Sequence, residues 1–239
     1  MNKQADIIVA LDMKTVQEAR RLVEDLGDSA TIYKVGMELF YSAGAEAVQM
    51  ARQAGKAVFL DLKLHDIPNT VSQAVTALAR LGVSFISLHA AGGGVMLRQA
   101  ANAAASAATA AGLARPKLLA ITVLTSLGET EWKRLRFAAS IGEQAVNLAL
   151  LAKESGIDGV VASPQEAAAI RQACGEDFLI VTPGVRPAGS AVNDQSRIAT
   201  PGGAVQAGAD YLVIGRPITA APDPVAAVGA IRQEMEGVV

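Results

Sequence analysis

The feature that most constrains the fold of this chain is a strand-length apolar run that recurs eight times, with helix-like stretches between the runs. Residues that close successive runs recur at a mean spacing of about 29 residues, which accommodates one strand, one helix and two short loops. Runs that are aliphatic on both faces are typical of parallel strands covered by helices. The predicted strands occupy residues 6–12, 31–36, 57–63, 84–90, 117–125, 159–163, 178–185 and 211–217.

Eight such units in 239 residues predict an α/β fold, a TIM (β/α)8 barrel formed by a single domain over residues 1–239. An open doubly wound sheet is the second interpretation, but that fold usually carries a glycine-rich phosphate turn after its first strand. Here the first strand runs into Leu11-Asp12-Met13-Lys14 and lacks such a turn. The barrel is therefore favoured, with helices predicted over the segments TVQEARRLVEDLG and SPQEAAAIRQACG.

Composition narrows the classes of partner and cofactor. The 21 Lys and Arg residues against 23 Asp and Glu give a net charge of −2, without the basic excess typical of nucleic-acid binding. One cysteine and two histidines supply few zinc ligands and suggest a reducing compartment. The N-terminal residues do not form a signal peptide, and no apolar run reaches the ~20 residues of a membrane helix. We expect a cytoplasmic protein that binds neither membrane, nucleic acid nor a metal.

Three consecutive predicted strands end in charged residues, namely Asp12, Lys34 and the pair Asp61 and Lys63. One such charge alone is most simply a solvated strand end. However, the carboxyl ends of barrel strands carry active sites, so three adjacent charged ends favour an active site here. Because Asp61 and Lys63 are two residues apart, a regular strand would place both side chains on one face. Interleaved opposite charges keep lysines protonated and aspartates ionised. A lysine held in this way can act as a general acid toward a carbanion, and Asp66 follows it just past the strand.

A second group of residues follows the last two predicted strands. A long loop rich in Gly, Pro, Ala and Ser follows strand 7 and carries Arg186 and Gln195, and strand 8 ends in Gly215 and Arg216. Gly-Arg-Pro by itself is most simply a turn with a surface arginine. In TIM barrels, however, the loops after strands 7 and 8 often bind phosphate. The two loops together predict a phosphate site, with the strand-7 loop as its lid.

The most specific motif is DLKLHDIPNT, residues 61–70, directly after an apolar strand. VALD, YKVG, ITVLTS, TPGVR and IGRPIT occur in order at the other strand ends. With these motifs the chain resembles, nearly end to end, the compact bacterial type of the orotidine 5′-phosphate decarboxylase family. The resemblance implies decarboxylation of orotidine 5′-monophosphate to uridine 5′-monophosphate in pyrimidine biosynthesis, without a cofactor. It also implies a homodimer with active sites at the interface.

The resemblance also implies a role for each matched residue. Lys63 would protonate C6 of the pyrimidine as carbon dioxide leaves, and Asp61 would lie beside the departing carboxylate. Lys34 would bind the ribose and hold Asp61. Asp66 would complete the charged array from the other subunit, and Thr70 would reach the ribose across the same interface.

Further substrate contacts are implied outside this charged array. Asp12 would bind ribose hydroxyls. Thr125 would hydrogen-bond the pyrimidine, with Ser126 open as the alternative. The phosphate would be held by Arg186, Gln195, Gly215 and Arg216.

Two other functions remain open at this point. A related barrel decarboxylase or aldolase acting on a sugar phosphate shares Asp-x-Lys-x-x-Asp but uses Mg²⁺, and activity that survives a chelator would distinguish the two. The sequence after Lys63 favours the nucleotide enzyme, and there is no additional matched set of carboxylates for magnesium. A catalytically silent nucleotide-binding barrel is the other alternative, against which the Asp61 and Lys63 pair argues. His65 and His89 are most simply structural.

Overall fold

A computed structural model describes residues 5–187 and 199–237, and its strands form one closed barrel in the order β1 to β8, with β8 pairing back to β1. All of the pairings are parallel. The strands are β1 Asp6–Leu11, β2 Ile32–Gly36, β3 Ala57–Leu64, β4 Phe85–His89, β5 Lys117–Ile121, β6 Gly159–Val161, β7 Leu179–Thr182 and β8 Tyr211–Ile214. The helices are α1 Val16–Leu26, α2 Met37–Ala43, α3 Ala45–Gln53, α4 Pro68–Ala79, α5 Gly93–Ala111, α6 Glu129–Arg134, α7 Ile141–Glu154, α8 Pro164–Cys174, α9 Pro201–Gln206, α10 Arg216–Thr219 and α11 Pro224–Glu236.

The predicted (β/α)8 barrel is confirmed, although three strands end three or four residues earlier than the apolar runs suggested. β5 stops where its neighbour stops, because Ile121 pairs with Val161, the last residue of β6. β7 ends before Pro183, which has no N–H to donate to the ladder. β8 ends at Ile214, and the next residue, Gly215, leads directly into α10. Apolar runs therefore predicted where the strands lie, while the pairing partner and the turn residues decided where they stop.

Side-chain alternation divides the apolar residues of the strands between two cores. Odd residues of β1 face the helices and belong to the larger core, whereas Ile8 and Ala10 belong to a separate core inside the barrel. This inner core is the packed layer of side chains typical of the fold. Its buried members are Ile8, Ala10, Ile32, Phe59, Phe85, Leu119, Leu179, Val181 and Val213.

Both predicted helices form with the expected end residues. α1 is capped by Thr15, whose side chain accepts a hydrogen bond from the N–H of Glu18, and it ends at Gly27. α8 has Ser163 as its N-cap, a proline in its first turn and Gly175 at its end. Within residues 5–187 and 199–237, no helix is both long enough and apolar enough to cross a membrane.

Arg171 of α8 ties together the amino-terminal end of the barrel. Its guanidinium donates hydrogen bonds to four backbone oxygens, those of Gly175, Glu176, Phe178 and Gly208. It also forms a 2.7 Å ion pair with Asp210, and both side chains are largely buried. The Asp210 carboxylate in turn accepts a 2.8 Å hydrogen bond from the backbone N–H of Ile180 in β7. This cluster lies at the end opposite the predicted site and has a structural role.

Candidate active site

The carboxyl end of the barrel opens into a cavity of about 580 Å³. Apolar side chains of the strands form part of its lining, among them Phe59, Ile121 and Val213. Most of the residues predicted from sequence to bind or react with substrate also line it. These are Asp12, Lys34, Asp61, Lys63, Thr125, Ser126, Arg186, Gly215 and Arg216.

The period of the strands explains why the charged residues meet here. Asp12, Lys34 and Asp61 each follow, by two residues, a side chain of the inner core. Because alternate residues of a strand share a face, each of the three charged side chains continues the inward-facing row at the open end of the barrel. The same alternation that places apolar side chains inside the barrel therefore places these charged side chains together at its open end.

Four charged side chains form a continuous chain of alternating sign. Lys63 Nζ lies 2.7 Å from Asp61 Oδ2, and Lys34 Nζ lies 3.8 Å from the same oxygen. Lys34 Nζ also donates to Asp12 Oδ1 at 2.8 Å. Asp61 and Lys34 are nearly withdrawn from solvent, with 10% and 13% of their side chains exposed. In this partly dry setting each charge is stabilised mainly by its neighbours of opposite sign.

Asp61 stays ionised although it is buried. Burial by itself would raise the pKa of its carboxyl, but the charges of Lys34 and Lys63 lower the pKa. Hydrogen bonds from Lys63 and from the hydroxyl of Ser87 lower it further, and the net pKa lies below its ordinary value. Asp61 is therefore a fixed negative charge at neutral pH.

The backbone at Lys63 departs from a regular strand. Lys63 has φ +52°, in the left-handed region that residues other than glycine seldom adopt, and the register of β3 against β4 shifts between Leu60 and Leu64. The expected two-residue repeat through Asp61 and Lys63 is thus interrupted by a bulge-like irregularity. The two side chains nevertheless meet, with Lys63 Nζ 2.7 Å from Asp61 Oδ2, and such distortions recur at functional sites.

The residues predicted to bind phosphate follow β7 and β8, and β8 pairs with β1. Arg186 is buried, and its guanidinium donates to the carbonyl of Val185 at 3.0 Å, while Arg216 is exposed at the start of α10. Gly215 lies close to β1, since a Cβ built on it would lie 3.5 Å from Ala10 and 3.6 Å from an oxygen of Asp12. Gln195 and most of the proposed lid fall within residues 188–198, which lie outside the described residues.

Asp66 and Thr70 do not line this cavity. Both are exposed at the beginning of α4, where Asp66 Oδ1 accepts the N–H of Ile67 at 2.6 Å. α4 begins at Pro68, so Thr70 lies in the first turn of the helix and not in a loop before it. The predicted charged array is therefore incomplete within one chain.

The two histidines lie together beside the charged chain. The rings of His65 and His89 have their centroids 5.2 Å apart. Burial lowers the pKa of His89 below its ordinary value, electrostatic interactions with His65 and Lys63 lower it further, and the Asp61 carboxylate acts in the opposite direction. No group of three or more His, Cys, Asp or Glu side chains that could hold a metal ion is found in the described part of the chain.

Ser87 is the site residue that sequence reasoning missed. It lies on β4 between Phe85 and His89, is fully buried, and donates a 2.7 Å hydrogen bond to Asp61 Oδ1. The spacing in the sequence could have identified Ser87, because it follows Phe85 by two residues, just as Asp61 follows Phe59. A polar residue in the inward-facing row near a strand end predicts a site contact even when it carries no charge.

Comparison with known proteins identifies the family. The family described as "Orotidine 5'-phosphate decarboxylase / HUMPS family" matches residues 5–231. An orotidine 5′-phosphate decarboxylase of Moorella thermoacetica is 52% identical over 237 residues, which cover 99% of this chain and 94% of the relative. The corresponding protein of a Nostoc species is 48% identical over 98% of both chains. A crystal structure of the Lactobacillus acidophilus enzyme has a TM-score of 0.86 at 43% identity, covering 97% of this chain and 99% of that one. The resemblance seen in the motifs is thus confirmed, and the chain belongs to the orotidine 5′-phosphate decarboxylase family.

Proposed function

We propose that the cavity binds orotidine 5′-monophosphate and that its decarboxylation to uridine 5′-monophosphate and carbon dioxide, a step of pyrimidine biosynthesis, takes place beside Lys63. The observation that carries this proposal is the 2.7 Å contact between Lys63 Nζ and Asp61 Oδ2 in a cavity large enough for a nucleotide. Relatives that are about half identical over nearly the whole chain carry the name of this enzyme. These names do not favour the sugar-phosphate enzyme or the silent barrel.

The chemistry follows from a protonated lysine held beside the reacting carbon. When the bond between C6 and the carboxylate breaks, carbon dioxide leaves and the electron pair remains on C6, where the ring delocalises it poorly. The Lys63 ammonium stabilises this charge without reorganising and then transfers a proton to C6. Neutral Lys63 recovers its proton from water. Before the reaction, the Lys63 ammonium donates a 2.7 Å hydrogen bond to Asp61 Oδ2, which holds it in place.

The rest of the cavity suits the remaining parts of the nucleotide. Asp12 and Lys34, joined by their 2.8 Å hydrogen bond, offer a carboxylate and an ammonium to the ribose hydroxyls. We assign the pyrimidine to Thr125 or Ser126 and the phosphate to the lining residues that follow β7 and β8. Phosphate contacts far from C6 can contribute to the transition state through binding energy. The proposed phosphate ligands are Arg186, Gln195, Gly215 and Arg216.

Replacement of Lys63 tests this assignment. Lys63→Ala removes the proton donor but leaves the proposed contacts to ribose and phosphate, so we expect no measurable decarboxylation and retained binding of uridine 5′-monophosphate. Lys133→Ala, at an exposed position on α6, is the matched control and is expected to match the unmodified enzyme. The measurements are the loss of orotidylate absorbance and calorimetric titration with the product. Substantial turnover by Lys63→Ala would refute the role of Lys63.

We further propose that the enzyme is a homodimer in which Asp66 and Thr70 enter the site of the other subunit. Both residues are exposed at the end of the barrel that carries the cavity, yet neither lines the cavity of its own chain. Large apolar side chains are exposed in segments that follow β2, β3 and β4 at the same end, which is typical of an interface. They are Met37, Tyr41, Ile67 and Val95, with 43%, 71%, 67% and 55% exposed.

Mixing two inactive variants tests the shared site. In a dimer of one Lys63→Ala chain and one Asp66→Ala chain, one site carries both changes and the other carries neither. Random pairing of equal amounts therefore restores about a quarter of the unmodified activity, since half the dimers are mixed and each has one intact site of two. Co-expression of the two variants followed by the absorbance assay measures this. Mixed dimers without activity would show that Asp66 acts within its own chain, and full activity of the Asp66→Ala variant by itself would show that Asp66 is not needed.

We also propose that this enzyme works in the cytoplasm. The single cysteine, Cys174, is free and buried, and free thiols without disulfides suit a reducing compartment. Fractionation of cells that carry the tagged protein at its natural level tests this. Recovery mainly outside the cytoplasmic fraction would contradict the proposal.

A further inference from the structure

We infer that Ser87 is a positioning residue whose hydroxyl fixes the reactive geometry of both Asp61 and Lys63, an inference that rests on the proposed roles of those two residues. The backbone N–H of Lys63 donates to Ser87 Oγ at 2.9 Å, and Ser87 Oγ donates to Asp61 Oδ1 at 2.7 Å. The hydroxyl thus bridges the main chain of one residue and the side chain of the other. Ser87 is fully buried and does not line the cavity, so it acts through these two neighbours.

The bridge gives the Asp61 carboxylate one orientation. A serine hydroxyl has a single proton to donate, and because Oγ accepts the Lys63 N–H, that proton is directed to Asp61 Oδ1. The other oxygen, Oδ2, then faces the ammonium groups of Lys63 and Lys34 at 2.7 and 3.8 Å. Without the bridge, a buried carboxylate oxygen loses its neutral partner and the carboxylate is free to rotate.

The same hydroxyl holds the unusual backbone of Lys63. A left-handed lysine, with φ +52°, persists only where its surroundings enforce that conformation. The N–H of Lys63 bonds to a side chain of β4 at the point where the register of β3 and β4 shifts. Without this hydrogen bond the Lys63 backbone is free to leave the left-handed region, which would move its ammonium relative to Asp61. Ser87 therefore holds the ammonium at its observed distance from Asp61.

Two variants separate hydrogen bonding from packing. Ser87→Ala removes the hydroxyl, and Ser87→Cys keeps a side chain of similar size with only a weak donor. We expect both to lower kcat by on the order of tenfold to a hundredfold, as for loss of a hydrogen bond to a charged group. The affinity for uridine 5′-monophosphate should change by less than about threefold, because the proposed nucleotide contacts remain. Ser155→Ala is the matched control, since Ser155 is also buried but its Oγ has no hydrogen-bond partner in the described residues.

The pH profile supplies a readout that a purely structural role would not move. The Ser87 hydroxyl stabilises the ionised form of Asp61, so its loss should shift the acid limb of kcat to higher pH, while Ser155→Ala leaves that limb in place. If Ser87→Ala does not fold, Ser87→Cys carries the test. Ser87→Cys with unmodified kcat and acid limb would overturn the inference. Failure of the proposed function is distinguished separately, since it would appear as no loss of orotidylate with the unmodified protein, and failure of the Lys63 role would appear as activity in Lys63→Ala.

Discussion

Gly36 provides a test of how closely the position of Lys34 must be held. It is the last residue of β2 and has an extended backbone, with φ −88° and ψ −178°, which alanine adopts without strain. A Cβ added there would lie 3.0 Å from Lys34 Nζ and 3.4 Å from Asp12 Oδ1. Ordinary contact begins near 3.4 Å, so the ammonium must move by about 0.4 Å while two carboxylates hold it.

The expected loss can be worked from this displacement. A misplacement of 1 Å in a site costs about a hundredfold in rate, so 0.4 Å in proportion costs roughly sixfold. We therefore expect Gly36→Ala to lower kcat/KM for orotidine 5′-monophosphate about sixfold. Gly128→Ala is the control, because Gly128 has a similar backbone, with φ −95° and ψ 173°, and also precedes a helix. A Cβ at Gly128 would meet no atom within 4 Å.

The assay compares the two variants directly. Initial rates of orotidylate loss give kcat/KM, and thermal unfolding measures the cost of replacing a glycine before a helix, which should be similar in both. Equal kcat/KM values for Gly36→Ala and Gly128→Ala would refute the reasoning, since the ammonium would then tolerate displacement. A loss of thermal stability confined to Gly36→Ala would instead assign the effect to packing.

Three further outcomes are expected. Arg216→Ala should lower kcat/KM for the phosphorylated substrate about 10- to 100-fold and leave kcat/KM for the unphosphorylated nucleoside nearly unchanged. Equal losses on both substrates would contradict the assignment of Arg216 to the phosphate. Arg171→Ala breaks the buried ion pair with Asp210, so the free energy of unfolding in urea should fall by about 3–5 kcal/mol, and a fall below about 1 kcal/mol would count against the structural role. The pKa of Asp61 is lower in the folded protein than in the unfolded chain, so its ionisation stabilises the fold above about pH 4 and this contribution is lost as the pH falls through the folded pKa. Between pH 5.5 and 3.5, the free energy of unfolding in urea should therefore fall less for Asp61→Asn than for the unmodified protein. Equal falls would contradict the lowered pKa of Asp61.

Much of the site could be predicted because the charges lie in strands that are otherwise apolar. Asp12, Lys34 and Asp61 stand out in the sequence, and the period of two places them on the inward face once the barrel is known. Ser87 was missed because an uncharged residue in an apolar run gives a weak signal. The phosphate side was predicted from the positions of Gly215 and Arg216 after the last strand, where barrels of this kind often bind phosphate.

The sequence by itself determined the (β/α)8 architecture and the family, since both depend on local patterns: the apolar runs, the helix caps and the motif at residues 61–70. Only the tertiary structure decided how Lys63 reaches Asp61. A regular strand would have brought the two side chains together by simple alternation, whereas the barrel achieves it with a left-handed lysine and a hydroxyl from the neighbouring strand. Such a conformation is unfavourable for an isolated segment. It persists because contacts between residues 24 and 26 positions apart in the chain hold it in place, and contacts of that range form only when the strands pair.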